Sequence, residues 1–539
     1  MIQATQEQQD IIQYARRGES FKILAYAGSG KTSTLQWIAK DKSKQKGLYV
    51  AFNKAMASDA RAKFPSQVKC STFHALALSA MPNTIRERLK LPKIQAKMVA
   101  ELLNLSAMEV PHQKGGKIHL KPNRIGTYVL DSINQFCQTA ATQLQPRHVV
   151  YPRFLDPDDI DVFQAELFAA VEQLWQELID PQSVLGIPHP VYLKLWALQK
   201  PRLHYDYIMF DEAQDADPVM LDIMLHQQHL QVIYVGDAHQ QIYEWRGAIN
   251  AMKKLPLPEK RLTQSFRFGN EIAAIANIFL KKLGEQSALV GNPALTHAYN
   301  PPDEPHYDAV LCRSNKDVMG CLFEAIEQQH KVTVQADLND LKWFITGLSD
   351  IQRGRRSDHP ELILFAAWDE VLEFVDSQQG ASYKSVVDLL EDYPATRLIA
   401  LLDEAAKVSP DEADYVISTI HKAKGLEWDD VKLHSDGYRY RCAVPKRREG
   451  AVLLNAIKKI KWLNLSPAFK QQCNVSGMNF EKCNKWMVND AEIRLAYVAV
   501  TRAKRHLDYE RLQPLIKIVK EIITETARIE QQRTQLLGH

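Results

Sequence analysis

The sequence predicts an α/β protein of parallel sheets flanked by helices, and three observations carry that prediction. Short apolar runs of strand length, at Phe21–Ala25, 48–52, 68–73, Tyr207–Phe210 and 231–235, each end in a polar or charged cluster. Helical stretches separate them, as in a sheet whose strands are joined by crossovers. Beyond Pro301-Pro302 the pattern begins again at Ala309–Cys312 and 416–420, so a second sheet is expected. A chain of 539 residues is too long for one ordinary core, and three or four domains are expected.

The first strand leads into the most informative stretch, FKILAYAGSGKT at 21–32. Gly28-Ser29-Gly30 takes backbone angles that a side chain would forbid, and a helix begins near Lys31. Such a turn aims several N–H groups, including those of Ala27 to Thr32, at one point beside the positive end of the helix. That is a phosphate cradle. Lys31 would reach the β/γ-phosphates of a nucleotide, and the Thr32 hydroxyl would ligate Mg²⁺. The full pattern places glycine five residues before Gly30; this chain has Ala25 there.

Composition narrows the class further. The formal charge is +3, which excludes a strongly basic protein while leaving room for a local basic groove. No apolar run approaches the ~20 residues of a membrane span, and the first ten residues lack a signal peptide's apolar core, so no membrane association and a cytoplasmic location are expected. The seven cysteines contain no CxxC pair and read as reduced thiols. Cys442, Cys473 and Cys483 share a segment with His434, but their spacings match no zinc pattern.

Taken in order, Thr5 caps a helix in which Gln8 is either a capping-box glutamine or, in the sharper reading, a contact to an adenine edge. The strand at 48–52 ends in Phe52 and Asn53, and the one at 68–73 ends in Thr72, Phe73 and His74. Ligands sit beyond the carboxyl ends of strands in open α/β sheets, and these groups suit a flat base and a phosphodiester. From about 81 to 200 helical spacing dominates, and 112–124 reads as either a phosphate-contacting or a solvated basic loop. The strand Tyr207–Phe210 runs into Asp211 and Glu212. Two adjacent acids at a buried strand end are costly unless a cation or a reaction uses them. Asp211 would hold Mg²⁺ through water, and Glu212 would orient and deprotonate the attacking water. Gln240 would sense a γ-phosphate, with Tyr243, Trp245 and Arg246 just beyond it for base stacking. Phe266 would lie on the adenine ring and Arg267 would reach the γ-phosphate. A helix is expected over 492–504, with Arg502 projecting from its buried stripe toward a triphosphate.

The motifs AGSGKT (27–32), AFNKAM (51–56), TFHAL (72–76), DEAQD (211–215), GDAHQQIYEWRGA (236–248), QSFRF (264–268), TIHKAKGLEW (419–428) and RLAYVAVTRAK (494–504), with Gln8, resemble those of superfamily 1 DNA helicases of the UvrD/Rep type. The short AFNKAM form looks most like the F-box DNA helicase branch, without an F-box. The resemblance implies two RecA-like P-loop domains, each with a helical insertion. Lobe 1 would occupy 1–80 and 201–300 around an insert at 81–200. Lobe 2 would occupy 301–337 and 410–539 around a small insert at 338–409, with 434–489 matching poorly. It implies ATP and Mg²⁺ as cofactors, with Lys31, Thr32, Asp211, Glu212 and Gln240 from one lobe and Arg502 from the other. Arg267 would be a second γ-phosphate arginine and Glu427 a ribose contact. Single-stranded or tailed duplex DNA would be the partner, held by Phe52, Asn53, Thr72, His74, Tyr243, Trp245, Arg246 and His421, with movement 3′ to 5′.

The leading expectation is therefore an ATP-dependent DNA helicase and single-strand translocase, in repair, recombination or anti-phage defence. The alternative is a DNA-dependent ATPase subunit that regulates a partner nuclease. A small-molecule P-loop kinase would account for the cradle but not for the Trp245-Arg246 cluster. The tail from Tyr509 reads as a helix that packs on the second lobe or docks a partner.

Overall fold

The computed structural model describes residues 4–111, 116–152, 155–242, 250–295, 306–359, 361–363, 365–376, 383–434, 490–520, 522–524 and 527. Its contacts divide the chain into two units, Met1–Tyr26 with Gly30–Leu262, and Ala27–Ser29 with Thr263–His539. The sequence expectation kept 263–300 in the first domain, whereas this division falls after Leu262. The backbone explains the difference: Ser265 N–H donates to Val290 O (2.7 Å) and Asn292 N–H to Phe268 O (2.8 Å), while Lys282 pairs with Asp490 at 3.4 Å.

The first unit is built on β1 (Phe21–Ala25), β2 (Gly47–Ala51), β3 (Val68–Thr72), a hairpin of β4 (Met108–Pro111) and β5 (Lys117–Leu120), then β6 (Tyr207–Phe210), β7 (Gln231–Gly236) and β8 (Glu259–Leu262). Apart from the hairpin these strands form one sheet in the order β3-β2-β6-β7-β1-β8, every pair parallel. Phe21, Ile23, Leu48, Val50, Ile208 and Ile233 are buried, which is why the strands read as apolar runs rather than alternations. Parallel pairing has one consequence that matters for function: the carboxyl ends of all six strands lie along a single edge.

The insert is helical as expected, over Ala96–Leu102, Pro122–Gln138, Ile160–Ile179 and His189–Leu198, with the β4–β5 hairpin added. The stretch read as a basic loop is β5 and the first turn of the helix Pro122–Gln138; 112–115 lie outside the described residues.

In the second unit, β9 (Ala309–Cys312), β10 (Val332–Gln335), β11 (Tyr415–Thr419), β12 (Trp428–His434) and β13 (Ala503–Asp508) form a second parallel sheet, ordered β10-β11-β9-β12-β13. The helix expected over 492–504 is corrected: it runs Asp490–Val500, and Ala503 onward turns to pair with β12, from Trp428↔Ala503 to Lys432↔Asp508. Tertiary pairing overrides the helical periodicity there. The small insert shares one core with the sheet, since Val310, Val332 and Ile417 cluster with Phe344, Leu398 and Leu402. Lys316 ties it down, 4.1 Å from the centre of the Tyr383 ring, 4.5 Å from that of Phe344 and paired with Glu361. Along the tail, Leu512, Leu515, Ile516, Val519 and Ile522 are buried, which is the packing reading.

Asp217 caps the helix Pro218–Leu225, accepting from Met220 N–H at 2.9 Å. Burial pushes its carboxyl up to about 7, against the pull of that bond and of Lys194. The folded protein therefore holds this proton more tightly than the unfolded chain, so this group lowers stability progressively as pH rises from about 4 to about 7, then no further. Asp217→Asn keeps the capping oxygen and removes the charge. Unfolding of parent and variant should match near pH 4, and by pH 8 the variant should be more stable, with a ceiling of about 4 kcal/mol. A gap independent of pH would contradict this account.

Candidate nucleotide site and nucleic-acid edge

The turn after β1 has the geometry its glycines permit. Gly28 (φ 71°) and Gly30 (φ 77°) are left-handed, and a Cβ on Gly28 would lie 2.5 Å from Ser265 Oγ. Gly30 is the N-cap of the helix Lys31–Asp41 and offers no side chain to its first N–H groups, leaving that helix end suited to an anion. Ser29 is buried and Thr32 half-buried. Gln8 is the capping-box glutamine: its Oε1 accepts from Thr5 N–H (2.9 Å) and its Nε2 donates to Thr34 Oγ1 (3.1 Å).

Around Lys31 the first unit assembles a connected polar network. Lys31 Nζ donates to Glu212 Oε1 at 2.5 Å. Burial works against the Lys31 charge, but Glu212, Asp211 and Asp237 together raise its pKa above the ordinary value. Asp211 lies beneath, taking a bond from Tyr49 Oη (2.7 Å) and one from Glu212 N–H (2.9 Å). Burial first, and Glu212 second, push the Asp211 carboxyl above its usual range, with Lys31 pulling back. A carboxylate so desolvated fits a divalent cation as partner. Glu212 is itself left-handed (φ 53°), an uncommon conformation for a residue with a side chain.

Gln214 continues the network. Its Nε2 donates to Glu212 Oε2, and its Oε1 accepts from Asp237 N–H at 3.1 Å. Asp237 Oδ2 in turn accepts from Gln240 Nε2 (2.9 Å), so the end of β6 and the end of β7 are joined side chain to backbone to side chain. Gly236 makes room for this, because a Cβ there would sit 2.1 Å from Gln214 Oε1. Sequence reasoning passed over Gln214 and Tyr49. The DEAQD spacing could have flagged the first; nothing local marks a tyrosine inside a strand.

Along the same edge, Phe52 is 40% exposed, Asn53 caps the helix Lys54–Lys63, and Thr72 caps Phe73–Ala80. His74 packs edge-on to His189 (6.2 Å) and Tyr192 (5.9 Å) from the insert, and burial, then His189, lowers its pKa. Tyr243, Trp245 and Arg246 lie outside the described residues.

The second unit holds the other candidates. Arg267 Nε pairs with Glu427 Oε2 (2.6 Å) and its Nη1 donates to Thr501 O (2.8 Å), so the two residues assigned to phosphate and ribose meet each other. Phe266 is 39% exposed, and its N–H donates to Gly28 O at 2.8 Å. Arg502 is 1% exposed; Val498 O, Leu426 O and Thr501 Oγ1 accept from its guanidinium at 2.9, 3.1 and 3.1 Å. His421 is half-buried in the turn after β11.

Residues 4–255 match the UvrD/REP helicase N-terminal domain. The whole chain is similar to F-box DNA helicase protein 1 of Schizosaccharomyces pombe, 30% identical over 93% of this chain and 57% of that protein. It is 29% identical to F-box DNA helicase 1 of Gallus gallus, over 94% of this chain and 49% of that one. A probable DNA helicase II homolog of Mycoplasma genitalium is 22% identical over 56% of the chain and 54% of its own length. The chain thus spans about half the length of the curated relatives it matches.

The Gln214 side chain is engaged by Glu212, Asp215 and the Asp237 backbone, so its loss should act by changing how Glu212 is positioned. Gln214→Ala should leave the KM for ATP within about twofold and lower kcat by on the order of 10²-fold. A rise in KM at unchanged kcat would place Gln214 in binding instead.

Proposed function

We propose, from the premise that this chain belongs to the UvrD-like superfamily 1 DNA helicases, that it hydrolyses ATP to move along single-stranded DNA in the 3′ to 5′ direction and to separate duplexes. The observation that carries this reading is the Lys31–Glu212 pair at 2.5 Å, set over buried Asp211 and wired through Gln214 to Asp237 and Gln240. A basic group facing two carboxylates at the mouth of a glycine turn is the machinery of phosphoryl transfer to water.

Each side chain is then assigned a task. Lys31 and Glu212 neutralise each other, so a triphosphate competes for Lys31 and releases Glu212 Oε1. Gln214 keeps the other carboxylate oxygen fixed, and the released one orients a water and accepts its proton. Thr32 and Asp211 would hold Mg²⁺, which when bound neutralises charge on the β- and γ-phosphate oxygens. Gln240, tethered to Asp237, is assigned to registering the γ-phosphate. Arg267 and Arg502 are assigned to the charge that develops on the transferring phosphoryl group, Gln8 and Phe266 to the adenine, and Glu427 to the ribose. Phe52, Asn53, Thr72, His74 and His421, with Tyr243, Trp245 and Arg246, are assigned to DNA. Stacking on exposed aromatic rings is sequence-tolerant, which is what a translocating site requires.

Single-stranded DNA should raise ATP turnover of the purified chain, and duplex with a 3′ tail should be separated in preference to duplex with a 5′ tail. Glu212→Gln should keep ATP binding and abolish turnover. Arg502→Ala should keep binding and lose DNA-stimulated turnover by about 10³-fold or more. Turnover indifferent to DNA would sink the translocase; displacement from 5′ tails alone would reverse the polarity. Stimulated turnover with no displacement from either tail would favour a regulatory ATPase subunit.

A further inference from the structure

Outside this site, the second unit brings two cysteines and a histidine together. Cys312 ends β9, Cys321 lies in the helix Asn315–Glu327, and their sulfurs are 3.5 Å apart. His434 ends β12, directly across from Cys312 in the β9–β12 ladder, and is near enough to the Cys321 sulfur for each to shift the other's pKa. Cys312 is fully buried, whereas Cys321 keeps 4% of its surface. No group of three or more His, Cys, Asp or Glu among the described residues is arranged to hold a metal ion, so the cluster is read as thiol chemistry.

We propose that Cys321 and Cys312 form an oxidisable thiol pair, a modification site at which a hydroperoxide converts two thiols into a disulfide joining the end of β9 to the helix Asn315–Glu327. The environments of the two sulfurs differ in the way the two steps need. The bond from the Cys312 thiol, followed by the nearby His434, lowers Cys321 to about 7 despite burial. His434 is raised: burial opposes its charge, but Cys321, Asp317 and Glu324 outweigh it. Cys312 is pushed up by burial and by its bond to Cys321, so it stays a thiol. The other groups facing the pair are Asp317, itself raised by burial, Glu324 on the same helix, which raises both sulfurs, and Tyr415. By contrast, burial raises Cys70 to about 11 and Cys137 to about 12, which leaves them inert.

In the first step the Cys321 thiolate attacks the peroxide O–O bond. A sulfenic acid forms, and the departing hydroxide takes the His434 proton to leave as water. In the second, the Cys312 sulfur attacks the Cys321 sulfur, the S–O bond breaks, and the hydroxide leaves with the Cys312 proton as a second water. The sum is two thiols and one hydrogen peroxide giving one disulfide and two waters. Closing the bond requires the sulfurs to move from 3.5 Å to about 2.0 Å. The site is one residue from Arg313, whose guanidinium grips Glu492 in the helix Asp490–Val500, so the new link would fall within the framework that supports Arg502.

The test is peptide mapping of the full chain after brief exposure to equimolar hydrogen peroxide at pH 7.5, with free thiols then alkylated. Trypsin cuts after Arg313 and Lys316, leaving the two cysteines on separate peptides. A cross-linked Cys312–Cys321 peptide, lighter by two hydrogens and released by reductant, should form at least ~10-fold faster than Cys70 or Cys137 is modified. That preference should vanish in urea. In Cys312→Ser, Cys321 should instead accumulate a sulfenic acid trapped by dimedone, and His434→Asn should slow the oxidation. Both thiols alkylated as fast as in untreated protein, oxidation no faster than at Cys70, or linkage of Cys321 to Cys442, Cys473 or Cys483 would each overturn the proposal. The wild-type map alone decides if a variant fails to fold.

Discussion

Two ionisable carboxyl groups side by side at the end of a buried strand are the constraint around which the first unit is arranged. At ~4 Å, like charges in a partly shielded site repel by about 4 kcal/mol, before any desolvation is counted. The sheet order answers this from both sides. β6 has β2 on one flank and β7 on the other, so the Tyr49 hydroxyl reaches Asp211 from one neighbour while Asp237 reaches Gln214 from the other. β1 stands one strand further, and the turn that follows it delivers Lys31 onto Glu212. Glu212 itself is left-handed, and the two side chains go to different partners, Asp211 to Tyr49 and Glu212 to Lys31 and Gln214.

The second unit handles charge differently. Arg502 cannot shed its proton, and its guanidinium is held by two carbonyl oxygens and a hydroxyl rather than by neutralisation at those contacts. Such acceptors fix orientation while leaving the positive charge in place. Arg267, by contrast, is paired with Glu427, so its charge is committed until an anion competes for it. The two arginines are thus held by different acceptors, carbonyls and a hydroxyl for Arg502 and a carboxylate for Arg267, a difference that residue type alone would not disclose.

What the sequence disclosed follows from the range of the interactions. Phosphate chemistry dictates residue type and spacing within a few positions, so the 27–32 turn, Asp211-Glu212 and the strand ends at Phe52 and Thr72 were legible. β12 and β13 were not. WDDVKLH and AKRHLD are half-buried and charged, and they form strands through partners distant in sequence, β12 between β9 and β13 and β13 against β12 from 75 residues away. The same limit hid Tyr49 and Gln214, whose partners are set by strand order. It also hid the neighbour of His434, which the β9–β12 register sets across from Cys312; Cys442, Cys473 and Cys483, considered with it on sequence proximity, lie outside the described residues.

The network at Glu212 extends beyond the carboxylates. Asp237 accepts from His239 N–H (3.0 Å) as well as from Gln240, and the next residue, Ala238, accepts through its carbonyl from Asn250 Nδ2 at 2.8 Å. Ala238 and Asn250 flank, in sequence, the stretch that carries Tyr243, Trp245 and Arg246, and their bond closes a neck between the described residues on its two sides. The neck is anchored in turn, because buried Lys22 of β1 donates to Met252 O (2.9 Å) and Leu255 O (3.1 Å). An anion that drew Lys31 away from Glu212 would thus act on Gln214, through Gln214 on the Asp237 backbone, and through Asp237 on one side of a neck whose other side is fixed to β1. Coupling between a reaction and a distant contact needs a contiguous element with two arrangements. Here the described part of that element, from Glu212 through Gln214 and Asp237 to Gln240, is short and joined by hydrogen bonds.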